Sequence, residues 1–231
     1  MEAYAQAPAP HKQTRASLRS TFTQRRATPK GSTLPEPTTL RALSGLPSTP
    51  ASLADSTLIL IDCQNTYVRG VMALDGVAAA LDEAAELLER ARSAGISIIH
   101  FQHDGGEGSP YDVRAEIGQI VDKVAPRGDE TVIVKHFPNG FVQTDLDDRL
   151  KALSARNLVL AGFMTHMCVN STTRGAFNLG YAATVVASAT ATRALPGTPE
   201  NVSSAAVQAA SLAAIGDLFG IVVPDVAAIP G

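Results

Sequence analysis

The sequence predicts an α/β fold with a mainly parallel sheet of about six strands. Two observations predict it. Short apolar runs of strand length recur between residues 56 and 223, and stretches with helical spacing fall between them. Parallel strands need crossovers of this length, and such crossovers are right-handed.

The first run, Thr57-Leu58-Ile59-Leu60-Ile61, is continuously apolar, as expected of a strand buried on both faces. Val77, Leu81, Ala84, Leu88 and Ala91 then recur at steps of four and three, which marks one face of a helix that Gly95 ends. Ile96-Ser97-Ile98-Ile99-His100-Phe101 is the second strand and Thr131-Val132-Ile133-Val134 the third. A helix over 145–154 follows, with Thr144 or Asp145 as its cap. Asn157-Leu158-Val159-Leu160-Ala161 is a strand, 169–179 a helix stopped by Gly180, and Ala183-Thr184-Val185-Val186-Ala187 a strand. Pro199 is expected at the first position of a helix reaching about Ala214. Gly220-Ile221-Val222-Val223 is the last strand, closed by Pro224.

Residues 1–55 differ in texture. They hold seven Lys or Arg against three Asp or Glu, while the other 176 hold twelve against nineteen, and they are rich in Pro, Ser, Thr and Ala. They read as a largely irregular arm before a domain at 56–231, with Thr38-Thr39-Leu40-Arg41-Ala42-Leu43 as a short helix suited to contacting a neighbouring subunit. An Arg- and Ser-rich, acid-poor start is also a property of transit peptides.

Composition narrows the partners. A net charge of −3 offers no general attraction to nucleic acid or an anionic membrane, and no run approaches the length of a membrane span. No secretory signal is recognisable. Two cysteines, Cys63 and Cys168, make neither a disulfide framework nor a metal-binding cluster, and they fit a reducing cytoplasm. Neither a G-x-G-x-x-G after the first strand nor a phosphate-binding G-x-x-x-x-G-K-S/T occurs, so dinucleotide and P-loop readings lack support.

Three residues at strand ends carry the chemistry. Asp62 ends the first strand, Lys135 the third, and Cys168 follows the strand that ends at Ala161-Gly162. In a parallel sheet all three arrive at the carboxyl edge, where ligands gather. Each has a bland reading: a helix cap for Asp62, a solvated cation for Lys135, a small packed residue for Cys168. Together they suit nucleophilic catalysis. A thiolate is favoured at a helix N-terminus beside a cation, Asp62 can take the thiol proton and return it to a leaving group, and the loop before Cys168 can turn amides toward an oxyanion.

Three segments resemble the isochorismatase-like hydrolases. Leu60-Ile61-Asp62-Cys63-Gln64-Asn65 resembles their D-x-Q/N segment, and Val134-Lys135-His136-Phe137-Pro138-Asn139-Gly140-Phe141 their lysine segment. Gly162-Phe163-Met164-Thr165-His166-Met167-Cys168-Val169 resembles their G-x-x-T-x-x-C-V nucleophile turn. The resemblance covers about residues 56–224. It implies a Rossmann-like three-layer sandwich with helices on both faces, a Cys168–Asp62–Lys135 triad, a cis peptide before Met164, and an oxyanion site formed by the Met164 and Cys168 amides. It also implies a homo-oligomer, dimer or tetramer.

Nicotinamidases in this group bind a metal after the second strand. Here that region reads His100-Phe101-Gln102-His103-Asp104 and lacks their D-x-H-P pattern, so no metal and no other cofactor is expected. Members that cleave a vinyl ether lack the cysteine, so Cys168 favours a small-molecule substrate with an amide-type C–N bond. An ether hydrolase using Asp62 as acid, a catalytically idle small-molecule-binding assembly protein and a redox-sensing thiol protein stand as alternatives. Gln64, Tyr67, Phe137, Phe141 and His166 are candidates for the pocket, each with local packing or hydrogen bonding as its plain alternative. Arg174 reads as a salt bridge or subunit contact, and Cys63 as packed on the strand face away from Asp62. Residues 105–118 and 189–199 carry specificity without a readable code.

Overall fold

Strand β1, Ser56–Ile61, is buried along its whole length, and its side chains divide between two apolar layers. Leu58 and Leu60 join one layer with Leu81, Ala84, Leu87 and Leu88; Ile59 and Ile61 join another with Leu146, Leu150, Val169 and Ala176. This two-residue alternation makes a central strand the seam between helical layers. The computed structural model describes residues 36–231. Residues 1–35, which hold most of the expected arm and the transit-peptide reading, lie outside the described residues.

The sheet has the order β3-β2-β1-β4-β5-β6, with every pairing parallel. The other strands are β2 (Ile98–His103), β3 (Thr131–Lys135), β4 (Asn157–Phe163), β5 (Ala182–Ala191) and β6 (Ile221–Val223). The helices are α1 (Leu40–Leu43), α2 (Val77–Ser93), α3 (Leu146–Ala152), α4 (Asn170–Asn178) and α5 (Ser204–Ala214). The strand order reverses between β1 and β4, which places the expected ligand crevice between their carboxyl ends. Among the described residues no helix is long and apolar enough to cross a membrane.

Most expected elements lie within a few residues of their predicted bounds, and the differences have physical reasons. Helix α5 starts at Ser204, not at Pro199. Ser203 accepts from the Ala206 amide at 3.2 Å as its cap, while Leu195 and Val202 exchange two 2.9 Å backbone hydrogen bonds that close residues 195–202 into a loop. Between β2 and β3, where the sequence predicts no element, the chain has short 3-10 turns, Glu116–Gly118 and Asp122–Val124. Before α3, of the two expected caps it is Thr144 whose hydroxyl accepts from the Leu146 amide, at 3.3 Å, while the Asp145 carboxylate accepts from Arg149 at 2.8 Å. Helix α1 docks within its own chain: the Leu40 amide donates to Asp217 and Arg41 to the Leu218 carbonyl, at 2.9 and 3.0 Å.

Gly162 is indispensable to the geometry below. It sits at φ +114° where the β4–β5 register shifts, and a Cβ there would lie 2.0 Å from the Ile61 carbonyl oxygen. Only glycine lets β4 run this close to β1 and turn into the segment that carries Cys168.

Candidate active site

Asp62 leaves β1 in the left-handed region, at φ +49°. An aspartate tolerates this conformation better than most side chains, and such residues cluster at functional sites. Its amide donates to the Phe101 carbonyl at 3.1 Å, and its own carbonyl accepts from the Gln64 amide at 2.7 Å. The turn thus ties the end of β1 to β2. Lys135 ends β3 and is wholly buried, as is Asp62. After β4 the Phe163–Met164 peptide is cis, as the resemblance implies, and a single π-helical turn, Thr165–Val169, leads into α4. Cys168 lies in that turn with 4% of its surface exposed.

The three side chains meet. Lys135 Nζ lies 2.7 Å from Asp62 Oδ2 and donates to Cys168 Sγ at 3.4 Å and to the Phe137 carbonyl at 3.1 Å. Those contacts use the ammonium's three hydrogens. Asp62 Oδ1 has no hydrogen-bond partner among the described residues, which leaves a carboxylate oxygen open for a proton. Burial alone would depress the Lys135 pKa, but its interactions with Asp62 and with Cys168 outweigh it and hold the ammonium above its usual value.

The state of the thiol departs from expectation. Burial first, and the Asp62 charge second, push Cys168 up to about 12, and Lys135 opposes them only in part. The cation does not leave a resting thiolate, because the same cation is already shared with a carboxylate. The surroundings of Cys168 thus favour its thiol form beside the Asp62 carboxylate.

The candidate pocket residues separate. His166 is half-buried, with Nδ1 2.6 Å from Thr192 Oγ1, and burial followed by the Arg193 charge lowers its pKa. Gln64 is fully buried and spent on structure: Nε2 donates to the His103 and Gly118 carbonyls, and Oε1 accepts from the His103 amide. Tyr67 is 1% exposed and packs edge-on against Phe163 and Tyr111, each at 5.7 Å. Burial, then the Asp62 and Cys168 charges, hold its phenol well above the usual value. Phe137 lends its carbonyl to Lys135, while its side chain is among the exposed apolar groups. Phe141 is drawn away from the carboxyl edge. It stacks on Tyr181, the residue before β5, and packs into the layer of α3 and α4.

Other residues take places the sequence did not announce. Tyr111 and His103 stand edge-to-face at 5.2 Å, and burial first, with smaller contributions from Cys168 and Asp62, raises the Tyr111 pKa. Arg193 follows β5 and acts on His166 and Tyr111 through its charge. Both lie in the loops expected to set specificity, but nothing local to either residue marks it. His100 points away from the edge and bonds Glu130 at 2.9 Å, while Asp104 accepts from the Gly106 amide. These two residues and His103 therefore do not converge, and among the described residues no three His, Cys, Asp or Glu side chains gather to hold a metal. Among the described residues Arg174 forms no salt bridge; its Nε donates to Asn170 Oδ1 at 2.7 Å and its guanidinium lies 3.9 Å over the Phe219 ring. Cys63 packs in the α2 layer, opposite Cys168, and both are free thiols.

The comparisons with known proteins agree with this geometry. The isochorismatase domain family matches residues 56–222. A secreted isochorismatase effector of Verticillium dahliae is 33% identical over 79% of this chain and 95% of its own length. A streptothricin hydrolase of Streptomyces noursei is 34% identical over 75% of this chain and 63% of its own length. The crystal structure of an isochorismatase from Pseudomonas putida KT2440 superposes with a TM-score of 0.79 at 37% identity, over 81% of this chain and 97% of that one. A six-stranded parallel sheet in this order, a buried Asp62–Lys135–Cys168 cluster at its carboxyl edge and these similarities together establish that the chain belongs to the isochorismatase family and is a hydrolase.

Proposed function

We propose that the protein is a cysteine amidohydrolase that cleaves an amide-type C–N bond of a small molecule through a thioester on Cys168. The observation that carries this reading is the position of Lys135 Nζ, 2.7 Å from a buried carboxylate and 3.4 Å from a nearly buried thiol. That arrangement suits a nucleophile activated by an adjacent base, with a fixed cation to stabilise charge as the proton moves.

The steps balance without a further reagent. Cys168 gives its proton to Asp62 as sulfur attacks the acyl carbon, and the Met164 and Cys168 amides receive the oxyanion. Asp62 returns the proton to the departing nitrogen, so ammonia or an amine leaves and a thioester remains. Water then attacks, Asp62 takes its proton, and the carboxylic acid departs as sulfur regains a proton. With burial and the Asp62 charge raising the thiol pKa, proton transfer to Asp62 is proposed to accompany attack rather than to precede it. The enzyme is proposed to work as a homo-oligomer in a reducing cytoplasm, where both free thiols persist. Light scattering of the purified chain tests the first point and cell fractionation the second, the V. dahliae relative being secreted by its name.

The mechanism is tested with a panel of primary amides and carbamoyl compounds, followed by ammonia release and by intact mass after rapid quench. The expected result is turnover with an acyl adduct on Cys168, and a loss of about 10⁴-fold or more in Cys168→Ala. Turnover that survives Cys168→Ala would sink the thioester and favour ether hydrolysis with Asp62 as acid. A panel with neither turnover nor adduct would favour a protein that only binds.

A further inference from the structure

A cavity of about 530 Å³ lies at the amino edge of the sheet, away from the Asp62–Lys135–Cys168 cluster. Asn157, Ala182 and Ile221, which begin β4, β5 and β6, all line it. Cys168 follows the other end of β4, so roughly 20 Å of strand separates the cavity from the thiol. Phe177, Tyr181 and Phe219 bring three aromatic rings to its wall. Phe177 and Phe219 meet edge to face at 5.5 Å, and Tyr181 stacks on Phe141 at 5.9 Å. Each ring is therefore held by a partner before any ligand arrives.

One charged side chain lines this space. Arg41 of α1 donates from Nε to the Pro47 carbonyl at 2.7 Å and from Nη1 to the Leu218 carbonyl at 3.0 Å. Those two bonds fix the guanidinium in place and leave three of its five N–H groups over. Among the described residues Arg41 forms no salt bridge. Asp217, beside Leu218, accepts from the Leu40 amide at 2.9 Å instead. No Asp or Glu is among the residues that line the cavity. Burial lowers the Arg41 pKa, and no carboxylate offsets it. A fixed, partly desolvated fork without a counter-ion favours an anion.

The geometry points to a second binding site, separate from the catalytic cluster, that takes a planar aromatic carboxylate: the rings cover its flat apolar body and the Arg41 fork holds its carboxylate. The volume suits a small ligand of one or two fused rings. The charge decides between candidates of equal shape. An acid supplies the counter-ion that the cavity lacks, whereas a neutral isostere gains only the apolar contact. A cationic ligand is excluded by Arg41 itself. The site stands independently of the hydrolase reading, since no lining residue belongs to the cluster.

The test is a calorimetric titration of the full chain with 2-naphthoate and with 2-acetylnaphthalene, a neutral isostere that has no C–N bond to cleave. The acid should bind with a Kd on the order of 0.1–1 mM and about tenfold more tightly than the ketone. Arg41→Gln should weaken the acid by about tenfold and leave the ketone within about twofold. Arg41→Lys, which keeps the charge but not the fork, should retain part of the preference. Ala51→Trp places an indole at a lining position and should weaken both ligands. Acid that does not bind, or binds no better than the ketone, overturns the inference. So does a preference that survives Arg41→Gln, because the acid then sits on another cation. If Arg41→Gln fails to fold, Arg41→Lys and Ala51→Trp decide, and an acid affinity that neither variant changes overturns it equally.

Discussion

Two buried clusters of charge lie on this sheet and are finished differently. On one flank of β2, Glu130 takes two hydrogen bonds from Arg92, at 2.6 and 2.9 Å, one from the Arg127 amide at 3.0 Å, and meets His100 at 2.9 Å. Burial alone would raise the Glu130 pKa; the donors around it win and hold it at about 2. At the carboxyl edge, Asp62 is more deeply buried yet keeps Oδ1 unpartnered among the described residues, and the thiol beside it is driven up rather than down. A saturated carboxylate is a fastener. An undersaturated one, sharing a single ammonium with a thiol, suits the proton-accepting role proposed for it.

The largest effects should come from unbalancing the second cluster. Lys135→Met strands a buried carboxylate, so kcat/KM should fall roughly 10³-fold. Stability to urea should drop by about 3–5 kcal/mol. Adding Asp62→Asn to Lys135→Met should restore most of the stability and none of the activity. If Lys135→Met kept its turnover, the cluster would be a fastener like the first.

A smaller effect distinguishes thiol from thiolate. With Cys168 raised from 9.0 to about 12, neutral iodoacetamide should react slowly at pH 7 and faster as pH climbs beyond 9, without a plateau near neutrality. Removing the raising charge with Asp62→Asn should speed alkylation at pH 8 by about tenfold, which is one pKa unit. The sign for stability follows from a folded value above the unfolded one. The contribution of Cys168 is complete below 9.0 and is lost as pH rises toward 12, so Cys168→Ala should be less sensitive to alkali. A plateau near pH 7 would mean a resting thiolate.

The smallest effect belongs to the fastener. Glu130→Gln should cost about 1–3 kcal/mol at pH 7 by urea unfolding and leave kcat/KM within about twofold. The folded pKa lies below the unfolded 4.5, so this contribution is present above 4.5 and fades as pH falls to about 2. The variant should therefore show a flatter acid limb over that window.

The convergence of Asp62, Lys135 and Cys168 on one edge was legible because each ends an apolar strand or follows it by one turn; Asp62 and Lys135 also carry charges that a core does not ordinarily hold. The limits lie in contacts between distant segments. Phe141 looked like a pocket wall from its place after Lys135, but a stack with Tyr181, forty residues on, decides its direction. Gln64 looked available to substrate, but the backbone of His103 and Gly118 uses its amide completely. Pro199 carried a helix-start signal as strong as that of Ser203, and the Leu195–Val202 pairing chose between them.

By itself, the order of residues determined the six parallel strands and the arrival of a carboxyl, an ammonium and a thiol at one edge, because strand direction and crossover length leave few other arrangements. Only the tertiary structure decided that burial and the Asp62 charge raise the Cys168 thiol, and that Asp62 Oδ1 and Arg193 Nε have no hydrogen-bond partner among the described residues. Those properties are sums of burial and charge over groups far apart in the chain, and no local stretch of sequence contains the sum.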